Sequence, residues 1–153
     1  MSFDSLKGTV DHITSVRQKI YLIITELLGR ALVHDQSKTE SPEKEGYDKF
    51  TPLLKEIEYG SDKYWKTLKE MKPILDHHYL NNRHHPEFFV DGIDGMNLID
   101  LLEMLCDWRA AGERQPNSSI LKSIDINAER FNMSPQLKQI LQNTASYMGW
   151  TDG

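Results

Sequence analysis

The chain offers almost no sulfur chemistry. A single cysteine, Cys106, in 153 residues excludes an internal disulfide and a thiolate metal cluster, and fits a reduced setting. Positive charge is not in excess either. Lys and Arg total 18 against 23 Asp and Glu, a net charge of -5, whereas a general binder of nucleic acid is basic. A mononucleotide stays open, because a metal ion supplies a positive field locally. No apolar run approaches the ~20 residues of a membrane span. The opening MSFDSLKGTVDHI carries acids and lacks the apolar core of a secretion signal. Repeats, low-complexity tracts and strands of any length are absent as well. The expectation is a cytoplasmic protein (host cytoplasm if phage-encoded), with neither membrane nor long nucleic acid as partner.

What is present is helical periodicity. From Leu6 to Val33, residues such as Val10, Ile13, Ile20, Ile24 and Leu28 recur at steps of three and four, one face of a helix. Lys38 to Gly46 holds Ser, Pro, Glu and Gly and reads as a loop, and Tyr47 to Ile57 as a second helix. Ser61 is placed to cap a helix from Asp62 towards Tyr79, with Pro73 as a kink position. PEFFVDGIDGMN reads as a loop, after which Asn97 caps a helix over Leu98 to Ala111. ERQPNSS is a further loop. Two last helices cover roughly Ser119 to Phe131 and Ser134 to Met148, the latter with a cap followed by a first-turn proline. The fold class is all-α, a single-domain helical bundle of five to seven helices over 1–153.

Polar chemistry gathers in three places. HHYLNNRHHPE, from His77 to Glu87, holds four of the six histidines. A spacing of seven is two helical turns, so His77 shares a face with His84, and His78 with His85. ALVHDQSK puts His34 beside Asp35 at the end of the first helix, with Lys38 three residues on. IDLLEMLCDWR sets Asp100, Glu103 and Asp107 along one side of a helix, between apolar rows. A buried carboxylate needs a cation or a donor. Taken singly, each has a plain structural explanation: a histidine at a helix terminus, a solvated helix end, an acidic face. Taken together, they are what a mixed imidazole and carboxylate metal centre between helices requires.

These motifs resemble the HD superfamily of metal-dependent phosphohydrolases, whose pattern is H…HD…D on a helical bundle. His34-Asp35 matches the HD pair and Asp107 the closing Asp. HDQSK is similar to the HD-x-x-K form of the HD-GYP branch, which implies that Lys38 faces the catalytic centre. That branch adds a lone His and then a His-His pair, an order matched by His78 (or His77) and His84-His85, and it implies a site for two ions. The GYP motif is absent, so cyclic dinucleotide hydrolysis is not implied. The chain as a whole also resembles uncharacterised phage and bacterial proteins of similar length, through HDQSK…PE, HHY…NRHHPE, DLLEMLCDWRAA and a late N…RF.

The resemblance implies one or two divalent ions (Mn, Fe, Zn, Ni or Mg) held by His34, Asp35, His78, His84, His85 and Asp107. Lys38 and Arg83 would stabilise charge on a phosphoryl group, and Glu103 would accept a proton or orient a ligand. The substrate class is a small phosphorylated molecule such as a nucleotide, for which Trp108-Arg109 offers an aromatic and a cation. The family pattern usually opens with an earlier His. His12 is the one candidate. On a continuous helix it lies roughly 33 Å from His34, so it is left out of the ligand set. The rival expectations are a non-catalytic nucleotide- or metal-binding module that sequesters or senses its ligand, a di-iron oxygenase, and a helical interaction protein without metal. A homodimer through an exposed apolar helix face is also admitted.

Overall fold

The computed structural model describes residues 5–58, 61–113 and 118–150. They form six α-helices and no strand, so the all-α class holds. The chain divides into two compact units, 1–34 and 35–153.

The described residues of the first unit carry one continuous helix, α1 (Leu6–Val33). No proline interrupts it, and Arg30 lies in its last turn, where a cation meets the carbonyl end of the helix. His34 leaves helical geometry with ψ 126°. The axial separation of His12 and His34 is therefore the one expected of an unbroken helix.

The second unit begins with Asp35, whose φ of 55° lies in the left-handed region. Asp is one of the few side chains that tolerate that region. A short 3-10 turn, Gln36–Thr39, follows. Helix α2 (Glu43–Glu56) begins one turn earlier than the sequence suggested. Ser, Pro and Glu looked like loop residues, yet Pro42 with Glu43 and Glu45 is also the chemistry of a helix start, with acids facing the positive end of the dipole. Gly46 has a packing role: a Cβ there would lie 2.5 Å from the Ile74 side chain. Its absence lets α2 approach α3 (Asp62–Asn81) closely. Ser61 caps α3 as expected, its Oγ accepting from the Tyr64 amide at 3.2 Å, and Pro73 lies inside that helix.

The loop after α3 is not featureless. It contains 3-10 turns at Pro86–Phe88 and Gly92–Gly95. Helix α4 (Leu98–Gly112) opens with a reciprocal cap. The Asn97 side chain accepts from the Asp100 amide, and the Asp100 carboxylate accepts from the Asn97 amide. The loop expected at ERQPNSS lies largely outside the described residues. Helices α5 (Ile120–Arg130) and α6 (Pro135–Tyr147) follow, and Ser134 caps α6 through the Leu137 amide. The core joins α4, α5 and α6 through Met104, Leu105, Ile120, Ile124, Leu141 and Ala145. It thereby holds α4 in place under the loop that carries His84 and His85.

Candidate metal centre

Helix α3 delivers His77 and His78 near its end, His78 in the last turn, and the sequence spacing works as a device. The helix stops at Asn81, yet His85 still returns over His78. Their Nε2 atoms are 2.9 Å apart. The chain turns through Asn82, which is buried and donates to the His78 carbonyl at 2.8 Å and to Ser37 Oγ at 2.8 Å. This anchors the loop to the segment that carries Asp35. His84 is 1% exposed and His78 is 2% exposed. The Asp35 Oδ1 atom lies 3.3 Å from His78 Nε2 and 3.5 Å from His84 Nε2.

Ligand atoms of Asp35, His78, His84 and His85 all lie within 4.8 Å of one another. Those of Asp35, His84 and Asp107 do so as well. The two sets share Asp35 and His84. Asp107 reaches the cluster from α4. His34 is the terminal residue of the first unit and is joined to Asp35 by the peptide bond.

The residue that sequence reasoning missed is Glu43. It is fully buried. Its carboxylate accepts from His77 Nδ1 and His78 Nδ1, both at 2.8 Å, and from the Ser37 hydroxyl at 3.0 Å. A carboxylate only accepts, so the His78 proton sits on Nδ1 and the Nε2 lone pair is turned into the cluster. Burial pulls the Glu43 carboxyl upward, but the hydrogen bonds from His77, Ser37 and His78 outweigh it and leave it below its usual range. His77, with its side chain 40% exposed, lies on the outer side of Glu43 and belongs to neither ligand set. Of the paired histidines at the end of α3, the structure brings His78 to the cluster. Glu103 stands to His84 as Glu43 does to His78, with Oε1 3.3 Å from Nδ1.

Burial and the neighbouring histidines His84 and His78 push His85 down to about 3. Burial and then the Lys38 charge lower His78, against an opposing pull from Glu43 and Asp35. Both imidazoles are therefore neutral around pH 7, the form that binds metals. With the His78 proton on Nδ1, its Nε2 lone pair faces His85 Nε2 at 2.9 Å, where a proton on His85 or a metal cation can lie between the two nitrogens. The donor set of neutral imidazoles and carboxylate, with outer carboxylates fixing the rings, suits a divalent transition metal.

Lys38 approaches from the side. Its Nζ is 2.6 Å from Asp35 Oδ2 and 5.5 Å from the centre of the Tyr47 ring. The aromatic rings around the histidines are Tyr47, 6.3 Å from His78, and Tyr79, 4.9 Å from His85. Trp108 is not one of them. It packs against the core and stacks on Phe131 at 6.4 Å.

Arg83 also departs from its expected role. Its guanidinium is held by Asp100 in two bonds of 3.1 and 3.0 Å and lies over the Phe88 and Phe89 rings. Asp100 is itself fully buried. The acidic row of α4 is thus divided: Glu103 and Asp107 serve the cluster, while Asp100 serves the helix cap and Arg83. A bidentate pair at a buried carboxylate fixes the 83–89 loop to the start of α4.

Fold and cluster together define a helical protein with a buried His and Asp set that could hold a metal ion. No curated protein and no solved structure matches the chain. Residues 1–147 match one family model, described as a family of unknown function (DUF5662), and the chain belongs to that family.

Proposed function

We propose that this protein is a metal-dependent phosphohydrolase acting on a small phosphorylated substrate, with nucleotides as the leading class. The carrying observation is the placement of the Lys38 ammonium 2.6 Å from the carboxylate that both ligand sets share. A cation beside a carboxylate-imidazole cluster favours an anion that reaches the cluster and still carries charge to spare, as a phosphate does. The residue order His34-Asp35, Lys38, His78, His84-His85 and Asp107 supports the same reading through its likeness to the HD pattern.

His78, His84, His85 and Asp35 would hold one divalent ion. Asp107 would complete a second set around Asp35 and His84. A bound divalent ion supplies Lewis acidity, neutralising phosphoryl oxygens and lowering the pKa of water towards neutrality. The rest is done by the chain. Glu43 and Glu103 fix the tautomers of His78 and His84, so the Nε2 atoms keep their direction. Lys38 neutralises charge on the phosphoryl oxygens as water adds to phosphorus and the ester P–O bond breaks, the proton leaving with the departing oxygen. Arg83, occupied by Asp100, holds the loop rather than the substrate. Tyr47 keeps its proton, because burial and the charges of Glu43 and Asp35 raise it, and it remains a hydroxyl donor beside the lysine.

The test is elemental mass spectrometry of the purified protein beside Asp35→Ala, followed by turnover of a nucleotide and phosphomonoester panel with the metal found or with Mn²⁺. Metal near stoichiometry, lost in the variant, together with phosphate release, is the expected result. Metal without turnover would favour a binding module. No binding of added Mn²⁺ by calorimetry would overturn the metal centre itself.

A further inference from the structure

The apolar surface left uncovered is concentrated on α1. None of its residues is buried. Val10, Ile13 and Ile20 are each 49% exposed, Ile24 is 45% exposed and Leu6 is 66% exposed. The order of these residues is regular. Leu6, Val10, Ile13, Arg17, Ile20, Ile24, Leu27 and Ala31 follow one another at alternating steps of four and three. That is the seam of a helix that packs lengthwise against another helix. Every position is apolar except Arg17.

We infer that α1 pairs with α1 of a second copy of this chain, antiparallel about a two-fold axis near Gln18 and Lys19. Area supports this occupant. The helix has 28 residues, so at ~1.5 Å per residue and ~10 Å width its stripe covers on the order of 400 Å². Two such stripes, at the roughly 65% apolar share of an interface core, correspond to about 1,300 Å² in total, within the lower range of specific interfaces.

Direction follows from Arg17. A parallel pair in register would set Arg17 against the partner's Arg17 inside an apolar seam. The antiparallel pair sets it against the partner's Ile20. The same axis matches Leu6 with the partner's Ala31, Val10 with the partner's Leu27, and Ile13 with the partner's Ile24. Each apolar layer then closes on an apolar residue, and the largest end residue meets the smallest. The contact is self-complementary, so it closes as a dimer instead of growing.

Sedimentation velocity of the full-length protein at micromolar concentration tests this. The expected mass is twice 17.7 kDa. It falls to a monomer in Ile13→Glu/Ile24→Glu and stays dimeric in Ser15→Glu, which lies off the seam. Circular dichroism checks that each variant keeps its helix. A monomer or a larger assembly in the wild type overturns the inference.

Direction is read in a Cys106→Ser background. Leu6→Cys alone should not form an inter-chain disulfide, whereas an equal mixture of Leu6→Cys and Ala31→Cys should. Cross-linking of Leu6→Cys to itself overturns the antiparallel register. None of these residues belongs to the candidate ligand sets, so a failure here leaves the phosphohydrolase reading standing.

Discussion

Glu43 belongs to the same logic as the histidines it orients, although it lies far from them in sequence. Removing a carboxylate that orients a ligand commonly costs 10–100-fold in metal affinity. Glu43→Ala is expected to lose affinity in that range, measured by titration calorimetry with Mn²⁺ or Zn²⁺. Glu43→Gln keeps one acceptor and should lose less. If both variants bind as the wild type does, the carboxylate has no orienting role. The histidines also set a pH dependence. His78 and His85 hold protons less tightly in the folded state than the ordinary 6.5, His85 down to about 3. Above 6.5 neither state carries these protons, and nothing changes. As pH falls below 6.5 the unfolded chain takes up protons that the folded chain refuses, so stability declines. Metal-free protein should therefore lose on the order of 1–2 kcal/mol between pH 7 and pH 5, read from urea midpoints in chelator. His85→Asn should flatten that slope.

At the level of the elements, two contacts place the ligands, and each has a single weak point. Gly46 sits where α2 meets Ile74 of α3, and that closeness seats Glu43 beneath the two histidines. Gly46→Ala should destabilise by about 1–3 kcal/mol through overpacking, seen as a lower urea midpoint. The same variant should weaken metal binding, because Glu43 would shift from its ligands. On α4, Asp100 joins the cap to Arg83, and it is 0% exposed. Asp100→Ala removes a buried partner of a cation and of a backbone amide, at a cost of about 3 kcal/mol. Asn97→Ala, losing the cap alone, should cost about 1 kcal/mol. Thermal or urea unfolding of the two variants side by side checks the order; an equal cost would mean that the Arg83 pair contributes nothing.

Across the whole molecule, the sequence spoke most clearly where a signal is local. Helix periodicity, the Ser61, Asn97 and Ser134 caps, and the seven-residue spacing of the histidine pairs all involve neighbours in the chain. Composition misled at Ser41-Pro42-Glu43, where a loop and a helix start share the same residues. The roles of Glu43, Arg83 and Trp108 depended on contacts with distant segments, which no spacing reveals. An unremarkable glutamate in an acidic chain becomes a buried acceptor for two rings only once α2 lies on α3. Arg83 is similar: a cation among histidines suggests phosphate, and only the fold brings Asp100 to it.

The candidate ligands are distributed unevenly along the chain, and this has a consequence for unfolding. Three imidazoles come from one short stretch, which alone would chelate an ion loosely and tie together almost nothing. Asp35 and Asp107 stand far before and far after it. Ions in the two sets, joined through Asp35 and His84, would fasten three distant parts of the chain at one knot, and those parts could not separate without releasing them. Loss of the ion and loss of the fold should then be a single event. Midpoint temperature should rise with metal concentration without a plateau in the accessible range, by the equivalent of about 2.7 kcal/mol at one hundred times the dissociation constant. Acidic chelators should act on this protein as denaturants do, lowering one transition instead of splitting it in two.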